Sequence, residues 1–429
     1  MRKFILVLAA ASLTASLWAQ SARDEIKRNA CLSASNFLAY PGPQKKLTPA
    51  PKGLKPFYIS HYGRHGSRFL ANSREYDYAY FAMKRADEQG KLTELGQDVL
   101  RRLGMIRQEA AGRLGELTPL GAEQHKEIAK RMYERFPEVF ADGATIDAKS
   151  TVVIRCILSM ENALQQLLTL NPRLSITHDA SQHDMYYMNQ TDKNLWDEKS
   201  APPAAYPFED FCRRHDRSAS LMARLFNDTA YVSHHVNATR LNSWLFKVAS
   251  NVQSTELRKR LTLYDIYTDD ELYHNWLKDN AKFYIGFASS KLTRSMQPFT
   301  QRNLLRRIIE EADSCISLGR PCASLRFGHE TMVMPLVCLL GLNGFDMQVD
   351  DLEQLDRKGW HNYRIFPMAA NLQFVFYRKD AQDDDVVFKV LLNEDEAELP
   401  IKTNMEPYYH WRDFRDYYLK KLDSYQEKN

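Results

Sequence analysis

The 429-residue sequence lacks a CxxC pair, a long uninterrupted hydrophobic run and a marked excess of either charge. Its six cysteines therefore indicate neither a zinc site nor a dithiol redox motif. The 58 basic and 54 acidic residues leave a formal net charge of only +4, which does not indicate a nucleic-acid partner. With 44% hydrophobic and 26% charged residues, the composition is that of an ordinary globular protein and argues against disorder or a coiled coil.

The first 19 residues have the pattern of a secretory signal peptide. Arg2 and Lys3 form the charged start, an apolar stretch covers residues 4–17, and Ala19 offers a small residue for cleavage. The apolar stretch is too short, and too often interrupted by Ser and Thr, to be a membrane-spanning helix. We therefore expect an exported protein, periplasmic or secreted, with no integral membrane segment after the signal is removed.

Export would place the cysteines where disulfides can form. Cys315 and Cys322 flank a turn-like loop and are the pair that the sequence favours for a disulfide. Cys338 lies in an apolar helical stretch, so it is predicted to be a small buried hydrophobic residue.

Residues 20–56 are interpreted as an N-terminal arm. Residues 40–56 contain five prolines, so they are expected to be extended rather than helical. The lysines of this stretch are predicted to be solvated, with the entrance to an anionic site as an alternative position. These lysines are Lys45, Lys46, Lys52 and Lys55.

The first stretch that indicates chemistry is an apolar and aromatic run at residues 57–63, which predicts a buried strand and leads into Arg64, His65, Gly66 and Arg68. Ligands of open α/β sheets bind just beyond the carboxyl ends of the strands. A neutral His65 can attack a phosphoryl group, and the planar donors of Arg64 and Arg68 can bind its oxygens. Their charges also disfavour a proton on His65. A basic, solvated turn is the alternative for these residues taken alone.

A helical region follows at about residues 73–136, in which Thr118 is a natural N-cap and Pro119 suits the first helical position. A second helix is predicted from apolar residues at helical spacing, which are Ile157, Met160, Leu164, Leu167 and Leu168. Arg155 then falls near the start of this helix, where backbone N–H groups favour an anion. It could add a third cation to a phosphate site, and a surface arginine is the alternative.

Residues 179–319 are rich in Tyr, Trp, His, Asn and Arg and have a helical pattern without a strand rhythm. We interpret them as an inserted, mainly helical cap between two parts of an α/β core, residues 57–178 and 320–429. The densest basic cluster of the cap is Arg213, Arg214, His215 and Arg217. It is expected to be solvated, with substrate phosphates as the alternative partners.

A second strand–turn–helix unit is predicted where an apolar strand at residues 322–327 leads into His329 and Glu330. His329 could donate a hydrogen bond to the phosphoryl group. Glu330 could protonate the leaving alkoxide and then deprotonate the attacking water, and the first of these steps favours an acidic optimum. A helix cap with a charge that complements the helix dipole is the alternative.

The remaining part predicts a strand pair and a closing helix. Residues 372–378 and 386–392 alternate or run apolar around the aspartates of 380–385, which are interpreted as turn residues rather than a metal site. A closing helix is expected from Pro407 onward.

Together, the motifs resemble those of the histidine acid phosphatases, branch 2 of the histidine phosphatase superfamily. Residues 64–68 match Arg-His-Gly-x-Arg, residues 117–121 resemble Leu-Thr-x-x-Gly, and residues 155–159 resemble Arg-Cys-x-x-Ser. Residues 327–329 and 366–372 look most like the group of multiple inositol polyphosphate phosphatases. That group usually carries its acid two positions after the histidine, as His-Ala-Glu, whereas Glu330 follows His329 directly.

The resemblance implies an α/β fold with a mixed, mostly parallel central sheet flanked by helices and a mainly helical cap over the site. It implies hydrolysis of phosphomonoesters, inositol polyphosphates including phytate, through a phosphohistidine, without a cofactor or metal. His65 would be the nucleophile and Glu330 the proton donor. The phosphate-binding residues would be Arg64, Arg68, Arg155 and His329.

Three other functions stay open at this point. The protein could be a broad-specificity acid phosphatase that acts on sugar phosphates or other small phosphomonoesters. It could be a phosphomutase of the other branch of the superfamily, although export argues against this. It could also be an inactive protein that binds phosphate ligands, although the acid and nucleophile candidates argue against that. The sequence does not indicate an oligomeric state.

Overall fold

The computed structural model describes residues 21–189 and 192–425, so the predicted signal peptide, residues 1–19, lies outside the described residues. The α-helices are α1 (Ala22–Arg28), α2 (Arg74–Asp87), α3 (Glu94–Glu109), α4 (Pro119–Arg135), α5 (Ile154–Leu170), α6 (Met185–Met188), α7 (Lys193–Glu198), α8 (Pro202–Arg214), α9 (Ser218–Leu225), α10 (Thr229–His235), α11 (Ala238–Val252), α12 (Asp269–Phe287), α13 (Arg302–Ser317), α14 (Glu330–Leu340) and α15 (Trp411–Asp423). The strands are β1 (Lys55–Arg64), β2 (Thr145–Ser150), β3 (Ser175–Asp179), β4 (Cys322–Gly328), β5 (Asn371–Arg378), β6 (Val387–Leu392), β7 (Asp395–Ala397) and β8 (Tyr409–His410).

The strands form one mixed sheet in the order β3-β2-β4-β1-β5-β6-β7, with β8 paired to β6. β1, β2, β3 and β4 run parallel, whereas β5 is antiparallel to β1. β1 is buried from Pro56 to Arg64, because both faces of this central strand are covered. The predicted α/β fold with a mixed, mostly parallel central sheet flanked by helices is confirmed.

Two hydrophobic clusters cover the two faces of the sheet. α4 and α5 pack on one face, around Ile59, Ile146 and Leu325. α14 and other helices pack on the opposite face, in a cluster that includes Tyr58 and Leu336. Because side chains alternate along a strand, the neighbours Tyr58 and Ile59 enter opposite clusters.

The helices predicted from capping and spacing are present. α2, α3 and α4 occupy the region predicted at 73–136, and the Thr118 hydroxyl accepts the N–H of Gly121 at 3.2 Å. Arg155 is the second residue of α5, as predicted. The predicted core position of Leu168 is wrong, because its side chain is 40% exposed. It follows the buried Leu167 by one residue, and this rotates it about 100° away from the core.

The described residues between β3 and β4 form helices and no strand, in agreement with the helical pattern. The division into a core, residues 57–178 and 320–429, and a cap, residues 179–319, stays a prediction. None of the helices in the described part of the chain is long and apolar enough to cross a membrane. The predicted strand pair is formed by β5 and β6, and α15 closes the chain after Pro407.

The N-terminal region contains helices that its sequence did not predict. α1 and a 3-10 helix at Ala30–Phe37 precede the proline-rich stretch. The four lysines of that stretch are exposed, as predicted. Lys45 and Lys46 line a cavity together with Pro56 and Phe136, at the N-terminal end of β1. His65 follows the opposite end of β1, so the alternative position of these lysines at the entrance to that site is wrong.

The predicted disulfide is not formed, since all six cysteines are free thiols. Cys315 lies in the last turn of α13 and Cys322 begins β4. Cys338 is buried in α14, as predicted.

Candidate active site

The carboxyl ends of β1 and β4 bring the two predicted motifs together. Arg64 pairs with Gly328 at the last register position of these parallel strands, so the residues that follow leave the sheet at the same edge. The His65 N–H donates to the Gly328 carbonyl at 2.9 Å. The imidazole centroids of His65 and His329 lie 5.8 Å apart, edge to face.

The loop that carries His65 lies against the N-terminus of α4. A Cβ on Gly66 would lie 2.3 Å from the carbonyl oxygen of Gly121, and a Cβ on Gly121 would lie 2.2 Å from that of Ser67. The Thr118 hydroxyl donates to the Ser67 carbonyl at 3.0 Å, and the Gln124 amide oxygen accepts the Ser67 N–H at 2.8 Å. The backbone around His65 is therefore held in place by direct contact with this helix.

The His65 ring presents an unprotonated nitrogen to the site. Nδ1 lies 2.9 Å from the Gly66 carbonyl oxygen. A carbonyl can only accept, so Nδ1 carries the proton and Nε2 keeps its lone pair. Burial lowers the pKa of His65 well below 6.5, and the charges of Arg64, Arg68 and Arg155 lower it further. Nε2 is therefore available as a nucleophile in mildly acidic solution.

Three guanidinium groups provide donors for an anion. Nη1 of Arg64 donates to the carbonyls of Asn36, at 2.6 Å, and Phe366, at 2.8 Å. Within the described residues, Nη2 of Arg64, Nε of Arg68 and Nε of Arg155 are buried and have no hydrogen-bond partner. Burial lowers the pKa of Arg64 only to about 10, so it remains charged. Planar donors of this kind can bind two oxygens of a phosphate group at once.

Glu330, the first residue of α14, places its carboxylate between the arginines and His65. Its Oε2 lies 3.2 Å from Nε of Arg64 and 3.7 Å from Nε2 of His65. Burial opposes its ionisation, but the charges of Arg64, Arg68 and His329 outweigh burial and lower the pKa of Glu330 to about 2. Without a bound anion the carboxyl group is therefore ionised.

His329 is fixed by a residue that the sequence did not indicate. Its Nε2 lies 3.2 Å from the hydroxyl of Thr151, which follows β2 and is buried. Burial lowers the pKa of His329 to about 4, although the Glu330 carboxylate opposes this shift. At higher pH His329 is thus neutral and carries one N–H that can donate to an anion.

The basic cluster predicted in the cap is already balanced by acidic residues. Arg213 pairs with Asp210 at 2.8 Å, and Arg217 pairs with Asp270 at 3.2 Å. Arg214 and His215 both contact Glu353, at 3.1 and 2.9 Å. This arrangement agrees with a solvated surface network and gives no support to a substrate site there.

The sequence profile of the histidine phosphatase superfamily (branch 2) matches residues 63–393 of the chain. This range begins just before His65 and contains every predicted site residue. The chain belongs to this family. Membership places it among the phosphoric monoester hydrolases.

The chain is also similar to one relative by sequence and to two solved structures. Multiple inositol polyphosphate phosphatase 1 of Gallus gallus is 23% identical over 321 residues, which cover 71% of this chain and 69% of the relative. The apo multiple inositol polyphosphate phosphatase of Bifidobacterium longum superposes with a TM-score of 0.76 at 19% identity, over 90% of this chain and 97% of that one. A phytase of D. castellii superposes with a TM-score of 0.67 at 14% identity, over 92% and 85%. The structural matches establish a shared fold.

The candidate site brings together all six residues that the sequence predicted, which are Arg64, His65, Arg68, Arg155, His329 and Glu330. Sequence reasoning missed Asn36 and Thr151, which contact Glu330 and His329. Neither of these lies in a recognisable spacing, and only the tertiary fold places them at the site.

The same geometry disfavours a metal ion. Ligand atoms of His65, His329 and Glu330 lie within 4.8 Å of one another, which would suit a cation. The charges of Arg64 and Arg68 act on all three groups, and like charges repel. The residues therefore suit an anion better than a metal ion.

Proposed function

We propose that this histidine phosphatase is exported and hydrolyses phosphomonoesters, with inositol polyphosphates including phytate as substrates, through a phosphohistidine on His65. One arrangement carries the proposal. Nε2 of His65 keeps its lone pair, lies 3.7 Å from a carboxylate oxygen of Glu330, and is close enough to Arg64, Arg68 and Arg155 for their charges to lower its pKa. A nucleophile, an acid and three cations at one point are what phosphoryl transfer requires.

In the first step, Nε2 of His65 attacks phosphorus and the bond to the ester oxygen breaks. The leaving alkoxide takes the proton of the Glu330 carboxyl group. The arginines and the His329 N–H stabilise the charge on the equatorial oxygens. In the second step, the Glu330 carboxylate takes a proton from water, the water oxygen attacks phosphorus, and the bond to His65 breaks to release inorganic phosphate.

The substrate class rests on the cationic site and on the relatives. The chicken relative is named a multiple inositol polyphosphate phosphatase, and the Bifidobacterium longum enzyme of that name was solved with inositol hexasulfate. Export rests on the pattern of residues 1–19, and a mature protein that begins after Ala19 in the exported fraction would support it.

The test measures inorganic phosphate released from inositol hexakisphosphate, a hexose phosphate and an aryl phosphate, in the presence of a chelator and across acidic pH. We expect inositol hexakisphosphate to have the highest kcat/KM. Alkaline quenching of a reaction with a radiolabelled ester should leave label on the wild type and none on a folded His65→Ala variant, since phosphohistidine survives alkali. A preference for the hexose phosphate would favour a broad-specificity phosphatase. Transfer of phosphate without its release would indicate a mutase, and binding without release would indicate an inactive binding protein.

A further inference from the structure

The N-terminal 3-10 helix at Ala30–Phe37 reaches the catalytic acid proposed above. Nδ2 of Asn36 lies 3.5 Å from Oε1 of Glu330. An ionised carboxylate can only accept, so the amide of Asn36 must present its NH2 group to that oxygen. Hydrogen bonds of this kind are often long in ligand-free enzymes and shorten in the substrate complex. The two oxygens of Glu330 are thus in different surroundings.

Oε2 is the oxygen that faces the nucleophile. It lies 3.7 Å from Nε2 of His65. Nε of Arg64 lies 3.2 Å from it, but the N–H of that nitrogen makes no hydrogen bond among the described residues. Oε2 therefore forms an ion pair with Arg64 without accepting a hydrogen bond from that nitrogen, whereas Oε1 accepts from the Asn36 amide.

Asn36 is held in place from two sides. Its carbonyl accepts from Nη1 of Arg64 at 2.6 Å. The preceding residue, Ser35, has φ 56° and ψ −122°, a strained conformation for a residue other than glycine. Its hydroxyl accepts from Nδ2 of Asn362 at 2.7 Å, and both residues are buried.

The hydrogen bonds around Ser35 continue to α12, a helix of the predicted cap. The backbone N–H of Asn362 donates to Oδ1 of Asn280 at 2.9 Å, and Oδ1 of Asn362 accepts from Nε1 of Trp276 at 3.0 Å. Asn280 and Trp276 both lie on α12 and are buried. A strained backbone persists only where the surrounding structure fixes it. These hydrogen bonds fix the strained backbone of Ser35, next to Asn36.

We propose that Asn36 is a positioning residue that directs the acid proton of Glu330 onto Oε2, the oxygen that faces His65. The inference rests on the proposed phosphatase function. When Glu330 is protonated, the carbonyl oxygen of its carboxyl group is the better acceptor, so the N–H of Asn36 selects Oε1 as carbonyl and Oε2 as hydroxyl. In the first step the O–H bond at Oε2 breaks, a new O–H bond forms on the leaving oxygen, and the electrons of the P–O bond pass to that oxygen.

The test compares kcat/KM for phosphate esters whose leaving alcohols differ in acidity, because this parameter includes only the steps up to loss of the alcohol. For Asn36→Ala we expect kcat/KM to fall about tenfold for an alkyl phosphate, which is a part of the 10²–10⁴-fold effect of a general acid. For 4-nitrophenyl phosphate, whose leaving group needs little protonation, we expect a change of less than about twofold. Asn29→Ala is the matched control, since Asn29 caps the same 3-10 helix through the Cys31 N–H and is exposed. It should leave the ratio of the two substrates unchanged.

Asn36→Asp gives a second readout in a variant of nearly the same shape. A carboxylate next to Glu330 disfavours its ionisation, so the alkaline limb of the pH profile of kcat should move to higher pH. Equal losses for all esters, or no change in either Asn36 variant, would refute the positioning role while the wild type still releases phosphate. If the wild type releases none, the proposed function fails instead, and the inference fails with it.

Discussion

Nε2 of His65 lies 3.7 Å from Oε2 of Glu330, and this closeness creates a problem of protonation. A proton donor must carry a proton, yet neighbouring cations lower the pKa of Glu330 to about 2 in the ligand-free protein. The charge of a bound phosphate offsets those of Arg64 and Arg68, so binding of the anion should raise this pKa. The acid proton and the anion are therefore expected to bind together.

Proton uptake on anion binding checks this coupling. Inositol hexasulfate is a suitable ligand because its sulfates do not titrate at about pH 5, well above the pKa of about 2 of free Glu330. We expect uptake of up to about one proton, seen by calorimetry in buffers of different ionisation enthalpy. Glu330→Gln should bind the ligand without this uptake. Release of protons by the wild type, or equal uptake by Glu330→Gln, would contradict the coupling.

Two buried histidines behind the site should make the fold sensitive to acid. His61 and His125 both pack against Phe327. Burial lowers the pKa of His61 to about 3 and that of His125 to about 4, from 6.5. The unfolded chain therefore binds more protons below pH 6.5. Their contribution to stability is complete above that pH and is lost as the pH falls toward 4 and then 3.

Urea unfolding at several pH values measures this effect. Each of the two histidines adds a slope of at most about 1.4 kcal/mol per pH unit. His61→Gln should reduce the loss of stability between pH 6.5 and 4, whereas His183→Gln should not, since His183 is exposed. A free energy of unfolding that stays constant over this range in the wild type would show that neither ring stays neutral in the fold.

The sequence was sufficient to predict the elements that position the reacting groups. β1 and β4 are buried on both faces, so each has a mainly apolar stretch, and a histidine motif follows it. β2 and β3 escaped prediction because their sequences, TIDAKS and SITHD, are short and largely polar. Their strand conformation comes from pairing with neighbours, and β3 lies at the edge of the sheet.

The candidate site also contains residues that the sequence predicted and residues that it did not. His65 and Glu330 were predictable because each follows a strand within a short motif. Asn36 and Thr151 were not, because a single Asn or Thr is common in any sequence and only long-range contacts bring these two to Glu330 and His329. The Cys315–Cys322 pairing was wrong because proximity along the chain does not determine whether two thiols bond covalently.

Close contact between two backbones makes Gly66 and Gly121 intolerant of any side chain. A Cβ at either position would lie within 2.3 Å of a backbone carbonyl oxygen, so alanine must displace the loop that carries His65. We expect Gly66→Ala and Gly121→Ala each to lower the free energy of unfolding by about 1–3 kcal/mol and to reduce kcat strongly. Gly104→Ala is the control, because Gly104 lies within α3 and a Cβ there would be 3.6 Å from its nearest neighbour, the ring of Tyr80.

Alanine favours a helix over glycine by about 0.8–1 kcal/mol, so Gly104→Ala should stabilise the protein and leave kcat unchanged. Thermal unfolding and phosphate release measure both properties. If Gly66→Ala retained wild-type stability and rate, the contact between the His65 loop and α4 would not be as tight as described.

Substitution of Arg155 and Arg213 compares the proposed phosphate-binding arginine with an arginine on the surface. Arg155 is half-buried, its Nε has no partner among the described residues, and its charge lowers the pKa of His65. Arg155→Met should lower kcat/KM by about 10²-fold. Loss of this charge lets His65 take up a proton at higher pH, so the acid limb of kcat/KM should also move to higher pH. Arg213, 74% exposed and paired with Asp210, should tolerate Arg213→Met with neither change. An equal loss of kcat/KM in both variants would mean that phosphate binding also depends on the surface cluster. An unchanged kcat/KM in Arg155→Met would refute a phosphate-binding role for Arg155.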